Sequence, residues 1–261
     1  MAKAAGRSAR HSVWLADRAR RGGRGGQPSG LDRERITEAS VRLLDAEGLA
    51  GFSMRRLAAE LNVTAMSLYW YVDTKDDLLE LALDATYAEL RLPESEKPEN
   101  TENPENPAED WREQLRELAT AYRTLLVRHP WVSPLAGRFL DIGPHSVAFS
   151  RAIQRVVRGT GLPDHGVTGA ISAVFRFVYG FGTVEGHFLA RSADTGLTPD
   201  EYVEQAMTVV AEAPGTAEVV RESRALMAAR GGDTVGEMME RDFAFALDLL
   251  VAGIEAMVAR G

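Results

Sequence analysis

The sequence predicts an all-α protein, with a small three-helix domain of the helix-turn-helix type near the N-terminus and a larger α-helical domain after it. Three observations lead there. Apolar residues recur at helical spacing through most of the 261 residues. No alternating strand pattern of useful length and no repeat of fixed period interrupts them. The breaks between periodic stretches are short turns bearing Gly, Pro or Asn, such as His129-Pro130, Gly161-Leu162-Pro163 and Pro214-Gly215. A composition of 45% hydrophobic and 26% charged residues is ordinary for a globular chain.

The elements follow in order. Residues 1–30 form a basic arm ending in a Gly- and Arg-rich run, too rich in Gly to hold a fixed backbone alone, although residues 12–21 suit one or two helical turns. From Leu31 the pattern is helical: Ile36, Ala39, Leu43 and Leu44 share a face, and Gly48 is the stop. Ser53 is the expected cap of a second helix that buries Leu57, Ala58 and Leu61. Asn62-Val63-Thr64 turns the chain, a short third helix covers about 65–71, and Thr74 with Asp77 forms a capping box for a fourth over about 75–91. That fourth helix is apolar on more than one face, so it must be covered on two sides. Residues 92–110 carry four Pro, three Asn and seven acids and read as a linker. Helices are then predicted over about 111–128, 144–158, 167–191, 199–213 and 236–259, in a domain spanning 111–261.

Charge separates these parts. The chain carries −8 overall, yet the arm alone is +6, against −5 for residues 31–91, −6 for the linker and −3 for the remainder. A net negative chain argues against a nucleic-acid partner until the arm is counted by itself. Without cysteine there is no disulfide scaffold, thiolate zinc site, iron–sulfur cluster or thiol nucleophile. The five His lack metal-ligand spacing, and no phosphate loop or serine elbow is present, so neither an enzyme nor a cofactor is expected. The longest apolar stretch, 167–190, is interrupted by Arg176, Glu185 and His187; it reads as a buried helix and no membrane partner is expected. The first thirty residues lack the apolar core of a secretory signal, so a cytoplasmic location is expected.

Residues 55–72 have the spacing of a helix-turn-helix. Ala58 permits close helix approach, Asn62 sits where the backbone reverses at positive φ, and Leu68 plugs the angle between helices. Ala65, Met66, Ser67, Tyr69, Trp70 and Tyr71 are left with few core roles. Three successive aromatics on one helix cannot all face one core, so at least one is expected at the surface, where it needs a partner. A helix this short fits the DNA major groove.

The stretch 31–90, above all Met54-Arg55-Arg56-Leu57-Ala58-Ala59-Glu60-Leu61 and Ser67-Leu68-Tyr69-Trp70-Tyr71-Val72-Asp73-Thr74-Lys75, closely resembles the DNA-binding domain of TetR-family transcriptional regulators. The remainder resembles more loosely the ligand-binding and dimerisation domain of the tetracycline-repressor branch. The resemblance implies a homodimer, a roughly palindromic double-stranded operator, and release of DNA when a small-molecule effector enters the C-terminal domain. It also implies that Arg55 reaches a base edge or phosphate, that Ala65, Met66 and Ser67 face bases, and that Tyr69, Trp70, Tyr71 and Lys75 hold the DNA backbone, which fixes register without reading sequence. The apolar Ala65 and Met66 point to methyl contacts with thymine. Leu118 stands where tetracycline-binding members carry an Asn, so tetracycline–magnesium recognition is not expected.

For the effector, Tyr122, Phe139, Phe149, Phe177 and Phe181 are candidate lining residues, although aromatics at helical spacing are more often core. Arg176, Glu185 and His187 are stronger candidates, because charge inside an apolar helix is costly without a partner or ligand. Dimerisation is expected from the helix at 167–191, with Gly180, Gly182 and Gly186 allowing close approach, and from Phe243, Leu247, Leu250 and Ile254 on the last helix. Packing within one chain explains that last stripe equally well. A second reading stays open: an all-α small-molecule binding protein whose helix-turn-helix no longer binds DNA.

Overall fold

A computed structural model describes residues 12–15, 31–93 and 110–260. Among these residues every regular element is helical. The acidic linker lies outside the described residues apart from residues 92, 93 and 110, as does the basic arm apart from residues 12–15. The chain divides into two compact units, Met1–Glu94 with His129–Ala152, and Ser95–Arg128 with Ile153–Gly261. The segment after residue 128, assigned by sequence to the larger domain, is thus shared between the two.

In the first unit, α1 (Arg33–Gly51) starts where the Asp32 carboxylate accepts the Arg35 N–H at 2.8 Å. Its regular part ends at Gly48, whose φ of 65° only glycine adopts without strain. Ser53 caps α2 (Met54–Glu60), and Asn62 makes the reversal at φ 53°. Thr64 caps α3 (Ala65–Leu68). The third helix is shorter than expected: after Leu68 the backbone tightens, with Tyr71 N–H reaching Leu68 O, so Tyr69 to Tyr71 form a turn. The predicted capping box of Thr74 and Asp77 opens α4 (Lys75–Tyr87). This helix stops before Arg91 because the N–H groups of Ala88, Glu89 and Leu90 bond three residues back rather than four.

Ile36, Leu44, Phe52, Leu57, Leu68, Leu78 and Leu79 are essentially fully buried and form the core of this unit. Each contributes about 1.5–3 kcal/mol by burial. Almost every residue of α4 is buried, including Glu80 and Asp84. Ser146 N–H donates to Asp84 at 2.9 Å, and the Tyr87 and Phe149 rings lie 5.7 Å apart. A short 3₁₀ turn, Ser133–Leu135, precedes α6 (Pro144–Arg158), which runs across the division between units.

The second unit is built on α5 (Trp111–Arg128) and α7 (Asp164–Asp194), joined by α8 (Pro199–Glu212), α9 (Ala217–Arg230) and α10 (Val235–Val258). α9 has no counterpart among the predicted helices. Its sequence carries no continuous apolar face, and Val219 and Leu226 are exposed while Val220 is buried. α7 also departs from expectation: it buries only a stripe through Val167, Val174, Val178, Gly182 and Gly186, with Ser192 near its end. By length and composition alone α7 would suffice to cross a membrane. Its Glu185, Arg176 and His187 and its packing on α5 suit a helix of a folded bundle.

Candidate nucleic-acid interface

α3 is held from behind and open in front. Leu68 and Val72 anchor it in the core, and Ala58 lies beneath the crossing. The other side is bare: Met66 is 71% exposed, Trp70 60% and Tyr69 46%. No core claims these side chains, and their apolar surface meets water at a cost that a partner would remove. Arg55, near the start of α2, is exposed as well. Ser67 is half-buried, its hydroxyl 2.9 Å from that of Thr64, and Ala65 is half-buried beside it. Thr64 is exposed at the tip of α3 and was not singled out from sequence; its place as the cap of so short a helix was the available signal.

Two of the expected backbone-holding residues are engaged within the protein. The Tyr71 hydroxyl donates to the Leu31 carbonyl at 2.5 Å. The Lys75 ammonium donates to the Phe52 carbonyl at 2.6 Å and lies over the Phe52 ring. Both bonds fix the position of the turn that follows α3. Arg56, next to Arg55, forms an ion pair with Glu47.

The candidate effector residues divide between the units. Phe139 and Phe149 belong to the first, where Phe139 lines a small cavity with Trp14, Tyr87, Asp84 and Asp141. Tyr122, Phe177, Phe181 and Glu185 belong to the second. Phe177, Phe181 and Phe243 form one aromatic cluster with centroids 5.2–5.8 Å apart, and Tyr122 meets Phe175 at 6.3 Å. Arg176 and His187 do not place charge in the interior as expected, because α7 turns both to the surface. Glu185 does face inward, where it accepts from Arg123 Nε at 2.6 Å and from its Nη2 at 2.9 Å.

Arg123 is the residue missed in that unit. It is buried on the apolar face of α5, its guanidinium 4.5 Å from the Phe243 ring centre and 5.1 Å from that of Phe181, and Nη1 also donates to Glu240 at 2.6 Å. Burial opposes its charge, but Glu185 and then Glu240 outweigh that and raise its pKa above the usual arginine value. An arginine between the apolar positions Tyr122 and Leu126 was the signal in the sequence.

The glycines of α7 separate as well. A Cβ on Gly182 would lie 3.1 Å from Leu126 Cβ, and one on Gly186 would lie 3.1 Å from the Leu126 carbonyl. These two serve the packing of α7 on α5, not an approach between chains. A Cβ on Gly180 meets nothing within 4 Å. Likewise Phe243, Leu247 and Ile254 are buried within the protomer, Leu250 is half-buried, and the open apolar face of α10 carries Phe245 and Leu249 instead.

Comparison with known proteins agrees with this arrangement. Residues 36–82 match the family model for bacterial regulatory proteins of the tetR family, and residues 103–258 match that for the tetracyclin repressor-like C-terminal domain. The chain belongs to the TetR family of transcriptional regulators. Among TetR-family relatives, the HTH-type transcriptional repressor DrrR1 of Streptomyces coeruleorubidus is 33% identical over 94% of this chain and 85% of its own. An HTH-type transcriptional regulator of Saccharopolyspora erythraea is 34% identical over 72% and 74%. Among solved structures, apo ActR of Streptomyces coelicolor superposes with a TM-score of 0.64 at 25% identity, over 89% of this chain and 99% of ActR. This TetR-family member is thus an all-α, DNA-binding transcriptional regulator.

Proposed function

We propose that the protein is a repressor that binds a palindromic operator as a homodimer in the cytoplasm and is released by a small-molecule effector held in its C-terminal helices. The exposed α3 carries the reading. Its first residues, Ala65, Met66 and Ser67, enter the major groove, with Met66 and Ala65 against thymine methyl groups. Arg55 reaches a base edge or phosphate from α2, and Tyr69 and Trp70 lie along the sugar–phosphate backbone. Tyr71 and Lys75 serve this interface mainly from behind, by fixing the turn, with the remaining ammonium protons of Lys75 available to a phosphate.

The open faces of the second unit support the dimer. Val184 of α7 is 70% exposed and Phe245 of α10 is 68% exposed, with Leu249 and Met257 continuing the apolar face. A second copy covers such faces in a four-helix bundle. For the effector, the C-terminal match to tetracycline repressors supports a small molecule. Leu118 is fully buried where those repressors carry an Asn, which supports a ligand other than tetracycline–magnesium.

Selection of genomic fragments by the purified protein tests the reading. A single palindromic motif is expected, and Arg55→Ala is expected to cost about 1–3 kcal/mol and relax one position of it. No enriched motif would support the alternative, a binding protein without an operator.

A further inference from the structure

α1 and α4 pack on one another, and they are tied together at both ends. At the N-terminal ends the turn after α3 makes the tie: the Tyr71 hydroxyl holds the Leu31 carbonyl just ahead of α1, and α4 opens at Lys75. At the C-terminal ends the tie is one side chain from a third segment. His129 is buried, with Nδ1 2.6 Å from Asp45 in the last regular turn of α1 and Nε2 3.3 Å from Glu89 just beyond α4. Trp131 Nε1 adds a second donor to the same Asp45 oxygen, and its indole stands edge-on to the imidazole with centroids 5.9 Å apart. Among the described residues, Asp45 and Glu89 are the charged groups that meet the ring.

The number of donors decides what this tie can hold. An imidazolium donates from both nitrogens and so serves both carboxylates, whereas a neutral imidazole has one N–H and turns a lone pair on the other partner. Burial opposes the charge on His129, but Asp45 and then Glu89 outweigh it, so the ring keeps its proton above the ordinary imidazole range. When the proton leaves, Glu89 is the partner released. Its contact is the longer of the two, and Asp45 retains the indole N–H as well.

We propose that His129 is a positioning residue for operator binding: by joining Asp45 to Glu89 it fixes the angle between α1 and α4, and with it the angle at which α3 meets DNA. This rests on the reading that α3 faces the operator. A binding surface keeps its contacts only while its supports hold it to within about 10–20°. With Glu89 released, the C-terminal end of α4 is held to α1 by apolar packing alone, α3 no longer has a single setting, and operator affinity falls as pH rises. Being buried, His129 acts through the two helices and not by contact with DNA.

Affinity of the full chain for the genomic fragment it selects, titrated at constant salt at about pH 6 and about pH 8.5, tests this. The wild type is expected to bind roughly fivefold more weakly at the higher pH. Because Glu89 is exposed, changing it leaves the core intact. Glu89→Gln presents an amide that accepts from the imidazolium and donates to the neutral ring, so it is expected to bind tightly at both pH values. Glu89→Ala presents neither group and is expected to bind weakly at both. His129→Gln does not titrate and is expected to show no pH dependence. A wild type without pH dependence would overturn the proposal. So would the wild-type slope persisting in Glu89→Gln, or Glu89→Ala binding as well as the wild type at the lower pH, and either result leaves the docking of α3 standing. If instead Arg55→Ala leaves affinity unchanged at the lower pH, the docking reading fails and the proposal goes with it.

Discussion

Each unit contains a buried cation gripped by two carboxylates, and the two sites are only six residues apart in sequence. In the second unit Arg123 lies between Glu185 and Glu240. In the first, His129 Nδ1 is 2.6 Å from Asp45 and Nε2 is 3.3 Å from Glu89, while Trp131 Nε1 donates to the same Asp45 oxygen at 2.6 Å. The plans are alike, but the cations are not. A guanidinium keeps its charge at any pH a cell meets, so the Arg123 site is permanent. An imidazole gives its proton up near neutrality, so the His129 site is conditional. Burial opposes the charge on His129, and Asp45 and then Glu89 outweigh it, so its pKa stands above the ordinary 6.5.

The largest effect expected from breaking this comparison is at Arg123. Arg123→Ala strands Glu185 in the interior, where its side chain is only 11% exposed, and is expected to cost about 3–5 kcal/mol in chemical denaturation. A loss under about 1 kcal/mol would show that water reaches Glu185 freely.

A second contrast lies along α7, where a Cβ on Gly186 would press on α5 and one on Gly180 would meet nothing within 4 Å. Gly186→Ala sets a methyl group 3.1 Å from the Leu126 carbonyl, a main-chain atom that yields less readily than a side chain. The expected cost is about 1–3 kcal/mol. Gly180→Ala is expected to gain up to about 1 kcal/mol from helix propensity alone. If it loses stability instead in a concentration-dependent melt, a partner chain approaches there.

The smallest effect sharpens the difference between the two cations. Because folding raises the pKa of His129, its contribution to stability is fully present below the unfolded value of about 6.5 and is lost as pH rises through the higher folded value. Melting temperatures of the wild type are expected to fall across that window, and those of His129→Gln to stay flat there. Equal slopes would assign the pH dependence to other groups.

Features set by neighbouring residues were readable from the sequence. Asn62 at its reversal, Ser53 and the Thr74–Asp77 box at their helix starts, Gly48 at its stop and Leu68 in the core all depend on residues within a few positions. Pairings across the fold were not. Ser12 and Glu80 are 68 residues apart, and His129 and Asp45 are 84 apart. Periodicity places a residue on a face without saying what that face meets, which is why Gly182 and Gly186 were expected between chains and lie against α5, and why the Phe243 stripe fitted either kind of packing. It also left Arg176 and His187 as candidates for the interior, since a charge in an apolar run reads alike whether the helix turns it inward or out. α9 went unseen for the opposite reason, having no continuous apolar face to reveal it.

The two bonds behind the reading surface, from Tyr71 and from Lys75, both end on main-chain oxygens. Every amino acid supplies such an oxygen. Side chains 31 and 52 are therefore free to drift among apolar residues over evolutionary time without cutting either bond. For these two hydrogen bonds the side-chain constraint falls on the donors, while the Phe52 ring beneath the Lys75 ammonium adds a contact of its own. Descendants of this protein can repack that core while presenting the same surface at the same angle, so changes in operator preference can accumulate on α3 independently of changes in what lies beneath it.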